Sequence, residues 1–398
     1  MTICLFEDGL AGRFAPLTST RAVADLRLGP LTLLERWQHV WPDAGVALHV
    51  RDALAEVVRH EHPGVSVNEP TSGPTLYLNA RLVCTRGPAL ERLKHCAAGN
   101  EPARTFTAGD HVAAAWRPAG GDLNQDAPTE DLGAPYMLAR VWDVLDAIGP
   151  RIVEDAASFP LGEHTGAHVS PHAILEAPEQ IYLAPGSRVH AGAILNASAG
   201  PVLIGENATV MEGAILRGPV SIGAHAQVKM AARVDQSVIG PWCKAGGEIH
   251  ASVLHSFSNK GHDGYLGNSY LGRWCNLGAD TNTSNLRNDY GIVDLYDMSE
   301  GRYTTTGRQF IGLIMGDHSK AGINTMFNTG TVIGVFCNLF GGGYMPRYAP
   351  HFSWGGPEGF RPYLLRKAFQ VARAVMKRRG LEFSEAESAL LSALSTET

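Results

Sequence analysis

The sequence predicts an α/β domain, then a parallel β-helix of hexapeptide repeats, then a helical tail. Three observations carry this. Residues 1–155 alternate short aliphatic runs with amphipathic stretches, the second half can be cut every six residues, and the final segment is basic and helical in pattern. The expected boundaries are 1–155, 165–356 and 357–398.

In the first part, "TICLFED", "GVALHV" and "TLYLNARLV" are short and aliphatic, while "PLTLLERWQHVW" and "DALAEVVRHEH" have helical spacing. That alternation is α/β logic, with a sheet between helices. From Ile204 the chain reads "IGENAT", "VMEGAI", "LRGPVS", "IGAHAQ", "VKMAAR", "VDQSVI". The leading residues are Ile204, Val210, Leu216, Ile222, Val228 and Val234. The fifth positions are small or β-branched: Ala208, Ala214, Val220, Ala226, Ala232 and Val238. A period of six suits neither an α-helix nor simple strand alternation. It suits a coil of three short strands, each turning one aliphatic side chain inward, with coils burying their faces on one another. The register resumes with "IGPWCK", "LGRWCN" and the four hexads from Met315. An antiparallel sandwich would show turn signals about every 8–12 residues instead.

Two segments break the rhythm, Ser256–Asn268 and Asn285–Phe310, and both are expected to be loops leaving the solenoid, where binding residues are usually displayed. The stretch "AIGPRIVEDAASFPLGEHTG" marks the joint between the parts. The tail from Arg361 to Arg379 is basic and holds no acidic residue, and "SEAE" at Ser384 reads as a capping box opening a last helix. A solvated basic face, a cap on the solenoid end, and a reach toward a ligand phosphate are all open to such a tail.

Composition excludes several classes. Apolar residues make up 44% of the 398 and the formal charge is -6, so the chain is globular and lacks the basic footprint of a nucleic-acid binder. No stretch has the length and hydropathy of a membrane span, and "MTICLFEDG" lacks the pattern of a signal peptide. Cys4, Cys84, Cys96, Cys243, Cys275 and Cys337 form no CxxC pair, which argues against zinc ligation or a disulfide framework and makes the cytoplasm the expected compartment.

The segment "SNKGHDGYLGNS" places His262 after Gly261, where the backbone is free to bring the imidazole to a ligand. Lys260, Asp263, Tyr265, Asn276, Asn282 and Asn285 are its polar company, with amides suited to sugar hydroxyls or a phosphate ester. A neutral imidazole suits removal of a proton from an amine attacking an acyl group. A loop histidine bonded to backbone is the plainer reading. A zinc site using His250 and His255 of "HASVLH", with His225 or His262 as third ligand, is another.

Here the sequence resembles hexapeptide-repeat acyltransferases, and among them the acetyltransferase half of bifunctional GlmU-type enzymes. Those make UDP-N-acetylglucosamine from glucosamine-1-phosphate, acetyl-CoA and UTP. The family pattern "AGH..YLG" and "N.GAGT...N" stands here as "KGHDGYLG" and "CNLGADTNTSN". The resemblance implies a left-handed β-helix with His262 as general base and Tyr265 as its partner. It puts Asn276 and Asn285 against sugar and acetyl group, Asn285 or backbone N–H groups also holding the oxyanion. Lys229 lies near the family's phosphate-binding lysine, whose aligned position is Ala231, and Arg217 resembles its phosphate arginine at shorter spacing; Lys260 is a further substrate contact. No covalent acyl-enzyme is implied. The resemblance also implies a homotrimer with acetyl-CoA between neighbouring solenoids, its phosphates meeting Lys320, Arg347 or the tail.

The opening "LFEDGLAGRFAPLTSTRAVADLRLGPLTLLERW" resembles the sugar-1-phosphate nucleotidyltransferase pattern "GG.GTR..PLT...PKPL". By that resemblance the first domain is Rossmann-like, with Gly9, Gly12 and Arg13 in a phosphate-holding turn, Arg21 and Asn79 as further nucleotide contacts, and Mg²⁺ as cofactor. Val23 replaces the family's lysine and Asn79 its metal-binding Asp, so the site is either rebuilt from Glu7, Asp8, Arg21, Asp25 or Arg27, or inactive. The resemblance implies a bifunctional enzyme of UDP-N-acetylglucosamine biosynthesis. An acetyltransferase with a nucleotide-sugar-sensing first domain and a solenoid scaffold without turnover are the alternatives.

Overall fold

The computed structural model describes residues 1–83, 86–99 and 101–396, so Cys84 lies outside it. Contacts divide the chain into two units. The first comprises Met1–Phe14, Thr20–Leu26 and Leu31–Arg140, and the second Ala15–Ser19, Arg27–Pro30 and Val141–Thr398.

The first unit is built on β1 (Thr2–Phe6), β2 (Gly45–His49), β3 (Ser66–Val67), β4 (Thr75–Asn79), β5 (Arg104–Ala108), β6 (His111–Arg117) and β7 (Thr129–Asp131), in spatial order β3-β2-β1-β4-β6-β5-β7. β1 pairs in parallel with β2 and β4, whereas β6 runs antiparallel to β4 and β5. Parallel strands need crossovers, and α1 (Leu33–Val40) and α2 (Ala55–Glu61) belong to two of them. The start of α1 is written locally: Thr32 and Glu35 form a reciprocal capping box. Continuous burial of Ile3–Phe6 and of all of β4 matches strands covered on both faces. Because β2 lies on one side of β1 and β4 on the other, the ends of β1 and β4 open a topological switch point, the usual ligand crevice of such sheets.

The second unit is a three-sided parallel β-helix. Its sheets have nine, eleven and six strands, each strand pairing with the one a coil away. Val210 pairs with Val228 and Leu216 with Val234, three hexads on. The six leading aliphatics are at most 2% exposed, and with Ala208, Ala214, Val220, Ala226 and Ala232 they form one continuous core.

One corner of the coil has an additional device. His225, Trp242, Phe257, Trp274, His318, Phe336 and Phe352 all adopt positive φ there, each donating its N–H to the previous coil. A left-handed conformation costs a non-glycine residue about 1 kcal/mol or more. Ring stacking along the corner offsets this, with centroids at 4.3 Å for His225–Trp242 and for Phe257–Trp274, and 4.4 Å for His318–Phe336.

Of the two expected excursions, one leaves the solenoid. Residues 285–310 project a two-stranded antiparallel ribbon, Asp294–Asp297 with Arg302–Thr305. Residues 256–268 instead form an ordinary coil, with strands Asn259–Lys260 and Tyr265–Gly267 in register with their neighbours. The hexad was hidden because its inward position is Lys260 rather than an aliphatic residue.

A helix α3 (Pro88–Ala98) completes the first unit, and α4 (Asp143–Asp155) opens the second. The tail forms α5 (Leu365–Lys377) and α6 (Glu385–Leu394), with the Ser384–Glu387 capping box present. Phe369, Ala372, Leu391 and Leu394 pack on Val335, Phe336 and Phe352 of the last coils. Cys4, Cys96, Cys243, Cys275 and Cys337 are buried and form no disulfide among the described residues. Among the described residues no helix is long and apolar enough to cross a membrane.

Candidate functional site

His262 occupies a corner between the strands Asn259–Lys260 and Tyr265–Gly267. Gly264 is required there: its φ is +112°, and a Cβ would lie 2.2 Å from the Thr281 carbonyl oxygen. The His262 side chain is exposed and makes no hydrogen bond among the described residues, so its imidazole can meet a ligand.

Lys260 is not a substrate contact. It pairs with Ala245 of the core and points inside the solenoid, 2% exposed. Its Nζ donates to the carbonyl oxygens of Gly246 at 3.1 Å and His262 at 2.6 Å. Burial pushes its ammonium down to about 8, partly countered by Asp263 and Asp280. The cation is therefore a strut under the His262 corner.

Tyr265 and Asn285 are brought together. Asn285 Nδ2 donates to Tyr265 Oη at 3.1 Å and to Asn268 Oδ1 at 2.7 Å. Burial raises the Tyr265 phenol more than the Asn285 bond lowers it, so it stays protonated at neutral pH. The pair rests on Gly267, where a Cβ would lie 2.3 Å from Tyr265 Oη and 2.7 Å from Asn285 Nδ2.

The remaining expected contacts are dispersed. Asn276 lies on the eleven-stranded sheet between Asn259 and Lys320, whereas Tyr265 lies on the six-stranded one. Arg217 is linked to Gly267 only through Asp235 and His250, three strand spacings or about 14 Å away. Lys229 belongs to an earlier coil, its N–H donating to the Ala245 carbonyl at 2.7 Å. Lys320 Nζ is held by the carbonyls of Trp274 and His318 at 3.3 and 3.2 Å, and burial lowers its pKa. Arg347 lines a 390 Å³ cavity beside Asn285 with Ser284, Arg287, Asn328 and Tyr344, its guanidinium 4.9 Å over the Tyr303 ring.

Two further side chains stand on the strand beside Tyr265: Glu248, which sequence reasoning missed, and His250, which it assigned only to a zinc site. Glu248 and His250 pair in register with Tyr265 and Gly267. Glu248 bonds Arg233 at 2.8 Å, and His250 bonds Asp235 at 2.9 Å, which raises its pKa. The available signal was the outward positions of "ARVDQ" and "GEIHA". His255 lies on the nine-stranded sheet, 3% exposed, so His250 and His255 do not face one site.

In the first unit, the turn after β1 opens a 720 Å³ cleft lined by Glu7, Asp8, Gly9, Leu10, His111 and Asp126, among others. A Cβ on Gly9 or Gly12 would meet nothing within 4 Å, so internal packing does not demand these glycines. Arg13 is half-buried with no side-chain partner among the described residues. Arg21 is fully buried, and so is Asn79, which removes both from direct contact with a ligand. Asn79 Nδ2 donates to Asp8 Oδ2 and the Val112 carbonyl, both at 2.9 Å, and its oxygen accepts from Arg81 N at 3.0 Å.

Arg81, which the sequence reading passed over in "NAR", clamps Asp8 through Nη2 at 2.6 Å and Nε at 3.0 Å. Burial raises the Asp8 carboxyl, but the Arg81 and Asn79 bonds reverse this and hold it below the ordinary value. Mg²⁺ requires open oxygen ligands, usually one or two carboxylates. At the switch point one carboxylate is already bound by a guanidinium and the other position is a saturated amide, so this donor set does not fit Mg²⁺. The other candidates already have partners, Glu7 although it lines the cleft. Glu7 binds Arg51 and Asp25 binds His62, each at 2.9 Å, and Arg27 exchanges backbone hydrogen bonds with Tyr270 Oη.

A mixed sheet with a glycine turn at its switch point is thus followed, in one chain, by a hexapeptide β-helix. Residues 3–163 match the family described as sugar nucleotidyl transferase. The chain is 31% identical over 114 residues to a bifunctional sugar-1-phosphate nucleotidylyltransferase/acetyltransferase of Sulfurisphaera tokodaii, covering 29% of this chain and 27% of that one. It is 35% identical over 124 residues to the bifunctional protein GlmU of Rippkaea orientalis, covering 31% and 25%. The chain thus spans about a quarter of the length of these relatives. A crystal structure of LpxA, a UDP-N-acetylglucosamine acyltransferase from Bacteroides fragilis, aligns with 58% of this chain and 95% of that one, at 12% identity and a TM-score of 0.29.

Proposed function

We propose that the protein is a bifunctional, cytoplasmic GlmU-like transferase, acetylating an amino-sugar-1-phosphate on the solenoid (165–356) and transferring a nucleotidyl group in the first domain (1–155), with 357–398 as tail. The observation that carries this is the unbonded His262 imidazole on the same coil as Tyr265, to which Asn285 of the next coil donates. His262 accepts the proton of the sugar ammonium, the freed amine attacks the acetyl-CoA thioester carbon, and the thiol leaves as the amide forms. Backbone N–H groups, rather than Asn285, whose two amide hydrogens already go to Tyr265 and Asn268, hold the acetyl oxygen, where charge develops. Register favours Arg233 and His250, rather than Lys229 and Arg217, for the sugar phosphate. The cavity with Arg347 gives one wall for acetyl-CoA, and a second solenoid of a homotrimer supplies the other, since coils alone offer little concavity.

The Arg81 clamp on Asp8 favours a second reading of the first domain, in which it binds a nucleotide sugar without turnover. One assay separates the readings: purified protein with acetyl-CoA and glucosamine-1-phosphate, with and without UTP and Mg²⁺. Absence of thiol release overturns the acetyltransferase, and thiol release without pyrophosphate selects the second reading.

A further inference from the structure

We propose that the solenoid carries an anion site, separate from the His262 corner and formed by Lys229, Lys244, Arg378 and Arg379, for a small ligand bearing several phosphate groups. The tail and the solenoid meet there. Arg379, just past the end of α5, lies 5.6 Å over the ring of Trp242, which stacks on His225 at 4.3 Å. Trp242 is two residues before Lys244, and Lys244 pairs with Gln227 of the preceding coil, two residues before Lys229. The aromatic corner thus fixes where the end of α5 lands, beside two lysines from adjacent coils.

None of the four side chains has a hydrogen-bond or carboxylate partner among the described residues. Lys229, Lys244 and Arg379 are also only partly exposed. Burial, then Arg379, Lys229 and Arg378, lower the pKa of Lys244. Like charges held together without a counter-charge destabilise the fold locally, and a solvated basic face would spread rather than converge. A polyvalent anion removes the repulsion and gains charge-assisted bonds from several donors at once. Inorganic polyphosphate and the phosphates of coenzyme A share that chemistry.

The test is isothermal titration of the full chain at low ionic strength with tripolyphosphate, orthophosphate and coenzyme A. The same titrations in an Arg13→Ala background remove the cation of the first-domain turn, so any share it contributes is subtracted. Tripolyphosphate is expected to bind more tightly than orthophosphate, to lose affinity steeply with salt, and to weaken about 10-fold in each of Lys244→Gln and Arg379→Gln. Competition by coenzyme A, weakened by the same substitutions, identifies the coenzyme as the source; tripolyphosphate binding without competition identifies a free polyphosphate. Binding unchanged in the double variant, or no binding, overturns the site. Lys244→Gln should also raise the ligand-free melting midpoint at low salt, because it relieves repulsion. A lowered midpoint would overturn the unpaired-cation premise.

Discussion

Lys260→Met tests whether a cation truly sits inside the solenoid. Methionine fills similar space and adapts to an irregular core, so the change removes the charge without leaving a void. The ammonium sits at about 8 against an ordinary 10.5, a difference worth about 3 kcal/mol at about 1.4 kcal/mol per pH unit. The unfolded chain keeps this proton up to its ordinary value, whereas the folded protein releases it near 8. Between those values the unfolded state binds more protons, so wild-type stability rises with pH; the burial cost is full below about 8 and gone above 10.5. The methionine variant lacks this titration. Near pH 7 it escapes the burial cost but loses bonds to the Gly246 and His262 carbonyls, each worth about 1.5 kcal/mol for a charged donor, so the two proteins should be nearly equal in stability. By pH 10.5 the wild type should be ahead by about 3 kcal/mol. Denaturant unfolding of both proteins across that range, with m-values compared, reads the difference directly. Parallel stability curves would show that Lys260 is not buried as a cation, and the strut under His262 would be lost with it.

His262→Ala should leave circular dichroism unchanged and lower acetyl transfer about 10²-fold or more, the scale of a lost general base; wild-type turnover would remove His262 from the mechanism. Gly267→Ala puts a methyl 2.3 Å from Tyr265 Oη. It should displace the Tyr265–Asn285 pair and cut turnover with little loss of stability, because the atoms met are side-chain ends; wild-type turnover would contradict a role for the pair. Arg81→Ala leaves Asp8 without its cation and should destabilise the first unit by about 3 kcal/mol, read by thermal unfolding at neutral pH. Because folding lowers the Asp8 pKa, that loss should shrink as pH falls through the folded value and both proteins carry a neutral carboxyl.

What the sequence determined by itself was periodic or local. The leading aliphatics of each hexad, the capping box at Ser384, and the glycine-flanked His262 are legible because neighbours along the chain create them. A hexad needs only its own inward residue and corner, and a capping box only a span of four residues. Even there, one polar substitution was enough to hide a coil, since Lys260 in an inward position makes 256–268 read as an excursion. The tertiary structure alone decided the pairings between distant residues. Arg81 and Asn79 close on Asp8 only because β4 lies against β1. Arg233 and His250 come near Tyr265 only through coil register, and Arg379 meets Trp242 only where α5 ends. Such contacts depend on how whole elements stack, and a charged side chain has no local preference that reveals which distant strand will be its neighbour.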